Sequence, residues 1–195
     1  MLNAGFSGEG KSTFSQYISG IKHEIGDELM SQTKGATISY CGTIQDIMNR
    51  LDINDISLTD KDLHIFNIDT EGVFYDKNEK AIEFLFPLIQ SCSLLICYGN
   101  SFTDLSIISL LSHINDLTDS NILIVLKNSH AIIKKNRKSI QYYLNLAKKS
   151  NLVKRLNSLN IKSEIIPCVD FRDEVQHDFS KIMNKYFVTR ALNLI

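Results

Sequence analysis

A chain of 195 residues, 44% hydrophobic and 22% charged, has the make-up of an ordinary globular protein, long enough to bury a core without staples. Its formal net charge of −1 excludes a global electrostatic pull toward nucleic acid, and its apolar runs are too short to span a bilayer. Cys41, Cys92, Cys97 and Cys168 are scattered without a C-x-x-C pair, which argues against a metal knuckle or disulfide scaffold and fits a reducing, cytoplasmic compartment.

Only Met1-Leu2-Asn3-Ala4 precede the segment Gly-Phe-Ser-Gly-Glu-Gly-Lys-Ser-Thr at 5–13. A central strand ordinarily takes about 5–6 residues, so the first strand reads as truncated. Gly5, Gly10, Lys11 and Ser12 fit the pattern G-x-x-x-x-G-K-[ST]. In such a loop the backbone N–H groups turn inward onto a phosphate, and the following helix adds its positive end. Gly5 and Gly10 permit the tight backbone, and Gly8 is compatible with a cradle made of main chain. Glu9 must turn its carboxylate outward. Lys11 would reach the outer phosphates, and Ser12 would set its hydroxyl on Mg²⁺. Thr13 completes the candidate nucleotide-binding set. Thr13, Phe14, Tyr17, Ile18 and Ile21 recur at helical spacing and predict a helix over 11–25.

Further along, apolar or β-branched runs predict strands at 37–41, 63–68, 94–98, 122–126 and 165–169. Helical patterns fall at 79–90, 104–117, 139–149 and 174–192, and polar stretches at 49–62 and 127–138 read as long loops. Near-continuous apolar strands such as Leu-Leu-Ile-Cys-Tyr at 94–98 are those covered on both faces. The alternation predicts an α/β fold of the P-loop nucleotide-binding kind: three layers, α/β/α, around a mostly parallel sheet, with 1–195 as one domain.

The run Leu-His-Ile-Phe-Asn-Ile-Asp-Thr-Glu-Gly at 63–72 ends an apolar strand in Asp69 and sets Gly72 three residues later. An Asp at that place holds Mg²⁺, and a Gly lets a backbone N–H meet the γ-phosphate. Between the two motifs, Ser31-Gln32-Thr33-Lys34-Gly35 offers Thr33 as a second hydroxyl for the metal.

Together with the strand at 94–98 running into Asn100-Ser101, these segments resemble the guanylate-binding protein family, whose wider group includes the atlastins among the dynamin-like large GTPases. The resemblance runs over essentially the whole chain in order. It implies GTP binding and hydrolysis with Mg²⁺ and nucleotide-driven homodimerisation. It also implies that Thr33 ligates Mg²⁺ and that Ser31 helps place the attacking water. Three differences from the family stand out. Gly8 occupies the place of an arginine finger, worth roughly 10³–10⁵ in rate, so slow hydrolysis is expected. Lys127 and Asn128 match an Arg-Asp doublet whose Asp reads guanine. An amide offers one acceptor where guanine presents two donors, which weakens guanine preference. The family's long helical region has no counterpart up to Ile195. A non-hydrolysing nucleotide-binding module with relaxed base choice is therefore the alternative expectation.

Between 134 and 155 stand Lys134, Lys135, Arg137, Lys138, Lys148, Lys149, Lys154 and Arg155 with no acidic residue. This stretch reads as a solvated face and, second, as a contact for an anionic membrane or acidic partner. Only Tyr142 and Tyr143 interleave, so nucleic acid is not expected. The five histidines show no metal-ligand spacing.

Overall fold

A computed structural model describes residues 1–5, 10–21, 35–54, 58, 60–70, 79–99, 106–114, 121–126, 139–167, 171 and 178–195. Among these residues six strands form one sheet: β1 (Leu2–Ala4), β2 (Ala36–Thr43), β3 (His64–Thr70), β4 (Leu94–Gly99), β5 (Asn121–Leu126) and β6 (Glu164–Pro167). Their spatial order is β2-β3-β1-β4-β5-β6. Every pairing is parallel except β2 with β3 at one edge. The described helices are α1 (Lys11–Ser19), α2 (Ile44–Leu51), α3 (Glu79–Ser91), α4 (Ser106–Ile114), α5 (Ile140–Lys148), α6 (Asn151–Ser158) and α7 (Asp178–Asn193).

The layering follows from strand alternation. On β4, Leu94, Ile96 and Tyr98 join a cluster with Phe14 and Ile18 of α1, Ile47 of α2 and Phe187 of α7. Leu95 and Cys97 point the other way, to Leu85 and Ile89 of α3, Leu111 of α4 and Leu156 of α6. Successive residues of a strand face opposite sides, so an unbroken apolar run must be covered twice. The result is the expected three-layer α/β/α arrangement around a mostly parallel sheet.

The strand before the phosphate-loop pattern forms with only three paired residues. Leu2 and Asn3 pair with Ile68 and Asp69 on one side, while Leu2, Asn3 and Ala4 pair with Leu95, Ile96 and Cys97 on the other. The Met1 carbonyl adds a bond from Ile68 N at 2.9 Å. The strand is thus hydrogen-bonded along both edges inside the sheet.

Several boundaries correct the sequence reading. The first helix ends at Ser19, not at 25, because Gly20 caps it in the left-handed region at φ 70°. The stretch 49–62 is not wholly a loop, since α2 runs to Leu51. That helix starts where β2 bulges between Tyr40 and Gly42. Gly42 sits at φ 93°, and a Cβ there would stand 2.8 Å from Asp46 Cβ. Thr43 then caps the helix: its Oγ1 accepts from Asp46 N at 3.1 Å, and its N–H donates to Asp46 Oδ2 at 2.8 Å. A further helix, α6, was not foreseen after 149; Ser150 starts it by accepting from Val153 N at 3.3 Å. The predicted loop at 127–138 lies outside the described residues.

Candidate functional site

The chain leaves β1, runs through β2 to β3 on one side of it, and then crosses to β4 on the other. Strand order thus reverses at β1. In open α/β sheets the crevice at such a switch point, beyond the carboxyl ends of the strands, is where ligands bind. Gly5, Gly10, Lys11, Ser12 and Thr13 follow the end of β1, and Asp69 comes up beside them on β3.

Gly10 caps α1 in the left-handed conformation, φ 95°, and its carbonyl accepts the first helical bond from Phe14 N at 2.9 Å. Among the described residues no atom lies within 4 Å of the Cβ that another residue would bring, so the backbone conformation is what selects glycine there. From Lys11 the ammonium folds back to donate to the Gly5 carbonyl at 3.1 Å, and the residue is only 5% exposed. Ser12 Oγ donates to Asp69 Oδ2 at 2.5 Å. Asp69 is itself buried. Thr13 is half-buried in the first turn of α1. Gly8, Glu9, Ser31, Thr33, Gly72, Lys127 and Asn128 lie outside the described residues.

Beneath this pair lies a polar network that the motifs did not announce. Asn67 Nδ2 donates to Ser15 Oγ, and Asn67 Oδ1 accepts from Asn3 Nδ2 at 2.9 Å. The Tyr98 hydroxyl donates to Asn3 Oδ1 at 2.9 Å, and Thr70 Oγ1 donates to the Asn3 carbonyl at 2.6 Å. All five residues are buried. Burial, with the Asp69 carboxylate next in importance, raises the Tyr98 phenol well above its ordinary value and keeps it a donor. The signal available in the sequence was an amide at an inward position in two apolar strands, Asn3 in the first and Asn67 in the third.

Elsewhere, Lys148, Lys149, Lys154 and Arg155 are exposed on α5, α6 and the turn between them, while Lys134, Lys135, Arg137 and Lys138 lie outside the described residues. Cys41, Cys92 and Cys97 are free thiols. Among the described residues no group of three or more His, Cys, Asp or Glu gathers as a metal cage. No described helix is long and apolar enough to cross a membrane.

No family model matches the chain, and no curated protein matches it. Among solved structures it is similar to a crystal structure of an SsGBP mutation variant, at 13% identity with a TM-score of 0.48. The match covers 99% of this chain and 55% of the other, so this chain spans about half of that one's length.

Proposed function

We propose that the chain binds a nucleoside triphosphate with Mg²⁺ in the crevice at the end of β1, and that it is a slow GTPase. One observation carries the reading: Ser12, at the start of the helix behind β1, is bonded to Asp69 of the neighbouring strand, beside the buried Lys11. A hydroxyl and a carboxylate meeting at one point form an all-oxygen donor pair, which suits a hard cation such as Mg²⁺. When bound, that ion would neutralise charge on the outer phosphates.

The protein's own groups do the rest. The Lys11 ammonium, held by the Gly5 carbonyl, is a buried cation that a phosphate oxygen would serve better than a neutral carbonyl. The N-terminal end of α1, where the helix dipole is positive, would favour an anion there. On the sequence pattern, Gly8 and Glu9 complete the loop and Gly72 meets the γ-phosphate. Thr33 adds a ligand to the ion, Ser31 orients water, and Lys127 and Asn128 meet the base. Homodimerisation on nucleotide binding and contact of the basic stretch with an anionic membrane or acidic partner belong to the same proposal. Gly8 and Asn128 also support a second reading, a module that binds nucleotide without turning it over.

The test is equilibrium binding of a fluorescent GTP analogue with and without Mg²⁺. The native chain should bind in a Mg²⁺-dependent way and Lys11→Ala should abolish it. Unchanged affinity in that variant refutes the site. Single-turnover hydrolysis of bound GTP then separates the enzyme from the module.

A further inference from the structure

The bond between Ser12 and Asp69 has a twin. One turn along α1, Ser15 Oγ accepts from Asn67 Nδ2 at 2.5 Å. Asn67 stands two residues before Asp69, so both side chains leave the same face of β3. Ser12 and Ser15 are three apart and share a face of the helix. The two bonds are rungs of one ladder between α1 and β3. Its outer rung is at the crevice; its inner rung is sealed, with Asn67 and Ser15 both at 0% exposure.

Apolar burial is non-directional and lets a helix slide on a sheet. A short hydrogen bond fixes register. Asn67 is itself fixed, because its Oδ1 is held by Asn3, whose own Oδ1 is held by Tyr98. It donates at one end and accepts at the other, which an apolar side chain cannot do.

We propose that Asn67 is a positioning residue for Mg²⁺ and the triphosphate: by gripping Ser15 it sets the register of α1 against β3, and so the spacing of Ser12 and Asp69. This rests on the nucleotide-binding reading above.

The experiment titrates Mg²⁺ against binding of a fluorescent GTP analogue to the wild type, Asn67→Leu, Ser15→Ala and the double variant. The half-saturating Mg²⁺ concentration should rise roughly tenfold in each single variant, the scale seen when partners behind a metal ligand are lost. Analogue affinity in excess EDTA should stay unchanged. The double variant should be no worse than Asn67→Leu, since both remove one rung. If instead affinity falls equally with and without Mg²⁺, or the half-saturating concentration does not move, the positioning role is wrong. Should Asn67→Leu fail to fold, Ser15→Ala, which removes one hydroxyl, decides alone. A wild type that binds no analogue, or binds it without regard to Mg²⁺, overturns the nucleotide reading and this inference together. A Mg²⁺-dependent wild type with unshifted variants overturns only the inference.

Discussion

Ser12 and Asp69 meet across 57 positions of sequence, the serine hydroxyl donating to Oδ2 of the carboxylate at 2.5 Å. Asp69→Asn keeps an acceptor for Ser12 and removes the charge a divalent cation needs. Losing a charged contact costs about 1.5–3 kcal/mol, so Mg²⁺-dependent nucleotide affinity should drop by roughly ten- to hundredfold. Calorimetric titration with and without Mg²⁺ checks it. Equal affinity in variant and wild type would remove Asp69 from the metal site.

Gly10→Ala meets no steric neighbour among the described residues, and its cost comes from the positive φ. The left-handed region costs a residue with a Cβ about 1–2 kcal/mol, which at this chain length lowers the unfolding temperature by about 2–8 °C. Gly10→Asn should lose less, because Asn tolerates that region. Thermal unfolding of the two variants side by side gives the order.

Arg50 ties three elements together. One guanidinium nitrogen donates to the Ile18 carbonyl near the end of α1, and the other to the Cys41 carbonyl on β2 at 3.1 Å. A lysine has no fork to reach two carbonyls at once. Arg50→Lys should therefore destabilise nearly as much as Arg50→Ala, by about 1–2 kcal/mol. Denaturant unfolding measures both. Full rescue by lysine would mean that charge alone matters.

The capping box of α2 sets an acid limit on stability. The Thr43 N–H and hydroxyl both donate to the Asp46 carboxylate and hold its pKa below 3.8. A depressed folded-state value adds stability above the unfolded pKa and loses it as pH falls through the folded one. The stability gap between wild type and Asp46→Ala should thus be level above pH 3.8 and narrow below it. Denaturation midpoints across pH follow this directly. A gap that widens in acid would contradict the box.

The layer order was legible because β4 and β5 are apolar at every inward position on both faces, which only a doubly covered strand needs. Asp69 was legible because it ends such a run at a known distance from Lys11 and Ser12. Asn3 and Asn67 were not, since an isolated amide in an apolar strand belongs to no motif. Their meaning lies in the pairing of β1 with β3, which no local pattern states. The helix α2 escaped notice because β2 passes into it through Gly42 and Thr43 without a polar turn, and its cap uses Asp46 where a longer side chain is the commoner signal.

The pairing of β1 also governs the order in which the molecule can be assembled. In the ladder Asn3 pairs with Asp69 on β3 and Ile96 on β4, both far away in sequence. Among the described residues the strand pairs only with β3 and β4. Contacts so distant in sequence bear loop-closure entropy before they return any energy, and they slow folding. The segment leading into Gly5 and Lys11 is therefore locked only once β3 and β4 are in place. Once β3 and β4 have closed on it, its amides can exchange with solvent only by parting the sheet down the middle, so their exchange should track global unfolding.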